Sequence, residues 1–60
     1  MGKYKLVKKI LIEETENGIY CIDKTELGNY ALSKNKTIIK VYPTLHKAKK
    51  ILYAKFANKN

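Results

Sequence analysis

Sixty residues with 13 lysines, no arginine, five acids and one histidine give a formal charge of +8. A chain this short hides only about 60% of the surface its unfolded form exposes, so it has material for one thin core and none for a deep, water-excluding catalytic cavity. Apolar runs such as Ile10-Leu11-Ile12 are far below the roughly 20 residues that span a bilayer; Cys21 and His46, each the only one of its kind, exclude an internal disulfide and a Cys/His zinc site.

From the N-terminus, Tyr4, Leu6, Ile10 and Ile12 fall on even positions with lysines at 3, 5 and 9, the period-2 pattern of a half-buried strand. Lys8 breaks the alternation and marks a bulge or an edge. Asn17-Gly18 is a strong turn signal. A two-residue loop there sets Ile12 opposite Asp23, whereas a three-residue loop, Glu16-Asn17-Gly18, pairs Ile12 with Ile22 and Glu14 with Tyr20; the second is expected, with the next strand over 19–24.

Thr25 to Asn29 reads as a turn around Gly28, followed by a third strand in which Tyr30 and Leu32 alternate with Ala31 and Ser33. A two-residue loop at Asn35-Lys36 sets Leu32 opposite Ile39 and Tyr30 opposite Val41, leaving Ile38, Lys40 and Tyr42 on the other face. Pro43 ends the fourth strand, and Thr44 caps a helix whose stripe is Leu45, Ala48, Ile51, Leu52 and Phe56. His46, Lys47, Lys50, Tyr53 and Ala54 fall on the opposite side.

These elements define an α+β fold: a four-stranded antiparallel sheet of two hairpins with one C-terminal helix on one face, β-β-β-β-α. A single domain over 1–60 is expected, with 58–60 as a frayed tail. The expected core takes Leu6, Ile10, Ile12, Tyr20 and Ile22 from the first hairpin, Tyr30, Leu32, Ile39 and Val41 from the second, and the helix stripe.

The charge is uneven. Residues 1–32 hold five lysines and all five acids and sum to zero; residues 33–60 hold eight lysines and no acid and sum to +8. Lysine without arginine, beside seven Ile and five each of Asn and Tyr, matches the codon usage of an AT-rich genome. Such drift explains many lysines, but not missing glutamates in one half when the other has four. Helix starts usually recruit acids to their first turn, yet this one has His46 and Lys47, the latter where a capping box places Glu. Backbone N–H groups with two basic side chains there would suit an anion.

No catalytic triad, paired-carboxylate cleft, Gly-rich phosphate loop or metal-ligand cluster can be assembled. Cys21 and His46, the one conceivable nucleophile and base, have no evident third group, so Cys21 reads as structural. Glu13, Glu14 and Glu16 read as a solvated hairpin tip. Non-enzymatic chemistry is expected, without cofactor or metal.

Thr37 to Ala48, with its Tyr42-x-Thr44-x-x-x-Ala48 pattern, resembles the strand, Thr cap and helix start of the arm-type DNA-binding domain of phage-type tyrosine integrases. The resemblance covers about a fifth of the chain. It departs at Lys47, where that family commonly has an acid, and in having one strand more, so it does not amount to membership. It implies DNA read through the sheet by exposed strand lysines.

The leading expectation is a cytoplasmic binding module in which Lys34, Lys36, Lys40, His46, Lys47, Lys50 and Tyr53 form one basic surface for nucleic-acid phosphates with little sequence specificity, because lysines act as point charges. The alternative is a small effector of phage or mobile-element type that docks this surface on an acidic patch of a host protein. Homodimerisation through the strand edge or free sheet face stays open. No membrane is involved in either reading.

Overall fold

Thr15 decides how the first hairpin pairs. In the computed structural model, which describes residues 4–57, its hydroxyl accepts from the Asn17 N–H at 3.0 Å and donates to the Gly18 carbonyl at 2.9 Å. This closes a two-residue loop, Glu16-Asn17, between β1 (Leu6–Thr15) and β2 (Gly18–Thr25), with Thr15 opposite Gly18. The expected three-residue loop is therefore incorrect: a threonine at the first turn position offers the backbone a local partner that favours the tighter turn.

A one-residue slip transfers side chains between faces. Leu11 pairs with Ile22 and Glu13 with Tyr20, while Ile12 pairs with Cys21. Leu11 thus packs on the core, and Ile12, expected inside, is 55% exposed on the other face. Register shifts between Leu6 and Lys8 and between Lys9 and Leu11 bulge the strand twice. The first of them flanks Lys8, the position that breaks the alternation. Leu6, also expected inside, lies largely exposed.

The second hairpin joins β3 (Tyr30–Lys34) to β4 (Thr37–Tyr42) through the expected Asn35-Lys36 loop, with φ of 50° and 74°. Asn35 ties it to the first hairpin. Its side-chain Oδ1 accepts from the Ile19 N–H at 3.0 Å, and its N–H donates to the Ile19 carbonyl at 2.8 Å. The amide sits against Gly18, where φ is +145° and an added Cβ would meet Asn35 Nδ2 at 2.8 Å.

Beyond Ser33 and Ile38 the ladder shifts by one, so that Leu32 faces Lys40, Ala31 faces Val41 and Tyr30 faces Tyr42. The expected Leu32–Ile39 and Tyr30–Val41 pairs do not form. The bulge turns Ile39 outward and Val41 to the far face, and in exchange sets two tyrosines across from each other on the core side.

The sheet order is β1-β2-β3-β4, every pair antiparallel. Thr44 caps α1 (Leu45–Ile51), its hydroxyl accepting from the Lys47 N–H at 3.2 Å. From Leu52 to Phe56 the helix widens into a π turn, closed by the Ala57 N–H donating to the Leu52 carbonyl at 2.7 Å. Phe56 stacks on Tyr20 with ring centroids 5.3 Å apart, and Ala57 enters the core, a position the 3.6-residue stripe does not include. Ile22, Leu32 and Leu52 are fully buried, with Tyr20, Ala48 and Ala57 around them. Burying an aliphatic side chain of this size contributes about 1.5–3 kcal/mol. The expected tail, 58–60, lies outside the described residues.

Candidate functional site

Starting from the Thr44 cap, the helical rows 45, 49, 53 and 46, 50 fall on one flank. Leu45, His46, Lys49, Lys50 and Tyr53 line a shallow groove of about 380 Å³ there. No acid stands in the first turn of α1, and Lys49 and Lys50 occupy its last turn. Three of the expected residues, His46, Lys50 and Tyr53, therefore share one site. Lys49 completes it; from sequence it sits at the margin of the apolar stripe, and only its spacing of four from both Leu45 and Tyr53 signals membership.

An acid holds one of the groove's side chains from outside its lining. The Tyr53 hydroxyl donates to Glu13 Oε2 at 2.8 Å, so Glu13 is no solvated hairpin tip. The register that pairs it with Tyr20 puts it on the helix side of the sheet. This hydrogen bond, then burial, then the carboxylate's charge raise the Tyr53 phenol above its ordinary pKa.

Lys47 lies exposed in the first turn, outside the groove lining. Cross-strand register puts Lys34 and Lys40 on the helix side, opposite Tyr20 and Leu32. The Lys34 ammonium stands 5.8 Å from the Tyr20 ring centroid, within cation–π range. Lys36 is on the opposite face, where it lines a larger groove. The expected single wall is thus divided: Lys36, in the turn with a φ of 74°, lines the groove on the helix-free face, away from the other six residues.

That second groove, about 850 Å³, runs over the helix-free face. Asp23 and Ser33 form buried parts of its floor. The Lys9 ammonium lies 3.3 and 3.4 Å from the Asp23 carboxylate oxygens. This contact is the main cause of a raised Lys9 pKa, against which its slight desolvation works. Cys21 is a free thiol on the same face. The sheet therefore stands between Cys21 and His46 on the helix flank, and the two do not form a nucleophile and base.

Among the described residues no cluster of three or more His, Cys, Asp or Glu could hold a metal ion, and no helix is long and apolar enough to cross a membrane. Comparison with protein-family models, with curated proteins and with solved structures gives no match.

Proposed function

We propose that the helix flank binds nucleic-acid phosphates with little sequence discrimination. The observation that carries this reading is the convergence of His46, Lys49, Lys50 and Tyr53 on one groove, within a half of the chain that has eight lysines and no acid. The ammonium groups attract phosphate oxygens as point charges, and the Tyr53 ring offers a plane on which a base or sugar can rest. Glu13, by holding the Tyr53 hydroxyl, fixes the ring's position and puts a negative charge beside it. Lys47 stands beside it, and Lys34 and Lys40 extend the positive field on the same side of the sheet. No arginine is present to make bidentate contacts to guanine.

The test is fluorescence anisotropy with labelled duplex and single-stranded oligonucleotides of varied sequence. Replacing Lys49 and Lys50 together by Gln should weaken binding about tenfold or more for every sequence alike, while Lys36→Gln leaves it within about twofold. Equal effects at the two places would overturn the assignment of the flank, and no binding to any nucleic acid would overturn the function. In that case a stoichiometric protein captured from nuclease-treated lysate by wild type and lost with the Lys49/Lys50 variant would point to an acidic protein surface instead.

A further inference from the structure

The face of the sheet turned away from the helix is an apolar surface that crosses all four strands. One cross-strand row runs Ile12, Cys21, Ser33, Ile38 and the next Lys9, Asp23, Ala31, Val41. Ile12 is 55% exposed, and Leu6 and Ile19 are each 43% exposed along the same groove. Single exposed aliphatics are ordinary; a contiguous set is not.

Its charge distinguishes this face from the rest of the molecule. Lys9 and Lys36 against Glu14 and Asp23 sum to zero on a chain of net +8. Two copies of so basic a chain repel, except where each presents a neutral patch. The patch is also self-complementary. Glu14 lies on the outer strand β1 opposite Ile19, and Ile19 is hydrogen-bonded to Asn35, the neighbour of Lys36. Glu14 and Lys36 thus stand at the same end of the sheet on opposite sides of the groove. A two-fold axis parallel to the strands superposes one copy's β1 edge on the other's β4 edge, which brings Glu14 over the partner's Lys36, twice.

Size and edges agree with this arrangement. The molecule measures 33 × 22 × 15 Å, so a broad face has at most roughly 700 Å² in projection, comparable with the about 800 Å² each partner contributes to a standard stable interface. Edge-to-edge pairing is blocked at both sides, by the two bulges and Lys8 in β1 and by the bulge and Lys40 in β4.

We infer that the helix-free sheet face is the interface of a two-fold symmetric homodimer, two sheets stacked about 10 Å apart with the helices on the outside. Each dimer then presents two basic helix flanks on opposite outer surfaces.

Sedimentation equilibrium from about 1 µM to about 1 mM tests this. Wild type should rise from 6.9 kDa to twice that mass. Ile12→Lys and Ile19→Lys should stay monomeric with unchanged circular dichroism, since both side chains are exposed in the monomer. Leu27→Lys, at a loop tip 75% exposed and outside the groove, should dimerise like wild type. Glu14→Lys and Lys36→Glu should each weaken the dimer, and the double exchange should restore it. A wild-type mass of one chain throughout, or dimers that persist in Ile12→Lys and Ile19→Lys, would overturn the proposal. Loss of the dimer on changing Lys49 and Lys50 instead would place the interface on the helix and overturn it equally.

Discussion

The hydroxyl of Tyr53 and the carboxylate of Glu13 meet at 2.8 Å across a separation of 40 residues. This contact links the end of the helix flank to the edge strand β1, and it couples stability to pH. Tyr53 holds its proton more tightly folded than unfolded, and so does Lys9 beside Asp23. A group whose pKa is raised by folding contributes stability that is complete below its unfolded value, here near 10 to 10.5, and is lost as pH rises through the folded value. Urea midpoints should therefore be level from about pH 7 to 9 and fall above about pH 10. Tyr53→Phe should lower stability at neutral pH by about 0.5 kcal/mol, a small figure because the contact is solvent-exposed, and should make the alkaline fall shallower. An unchanged alkaline slope in that variant would contradict the role given to Glu13.

Lys9 and Asp23 should respond unequally to substitution. Asp23 is 5% exposed, whereas half of the Lys9 side chain is open to water. Lys9→Met strands a buried carboxylate and should cost about 1–3 kcal/mol, while the Lys9→Met/Asp23→Leu pair should recover most of the loss. Chemical denaturation of the single and double variants measures the difference. Additive losses would show that the ion pair has no such coupling.

Gly18→Ala should be among the more damaging small substitutions. It forces an L-residue to φ +145° and sets a Cβ 2.8 Å from Asn35 Nδ2, so a loss of about 1–3 kcal/mol is expected. Asn35→Ala in the same background should relieve the steric part. Thermal melts of the three variants check this.

Lys36 occupies the second position of a turn in which both φ values are positive, where glycine is the preferred residue. Lys36→Gly should stabilise the chain by about 0.5–1 kcal/mol, the left-handed penalty exceeding the entropy glycine loses on folding. The comparison belongs at one low protein concentration, where self-association does not contribute.

Much of the architecture is legible in the chain because its signals are local. Alternating apolar positions give the strands, Asn35-Lys36 its turn, and Thr44 with the spacing 45, 48, 52 the helix. The registers are less legible. Asn17-Gly18 advertises the loop, yet the Thr15 hydroxyl closes it one residue shorter than the expected three, and that single step of register moves Ile12 out, Leu11 in and Glu13 under the helix. The bulge at Ile39 and the π turn at Leu52–Phe56 are products of tertiary packing, through the Tyr30–Tyr42 pairing and the Phe56–Tyr20 stack, and no residue spacing announces them. For the site, composition identifies the basic half; Lys40 reaches the helix side only through the bulge at Ile39, and Lys36 leaves it through the turn geometry, neither of which composition reveals.

The most direct test of the central claim is the salt dependence of oligonucleotide binding. If Lys47, Lys49 and Lys50 neutralise about three phosphates, log K against log salt should have a slope of roughly −2 to −3 on duplex, reduced by about one for each of these lysines changed to Gln. A slope near zero, or one that these substitutions leave unchanged, would contradict it.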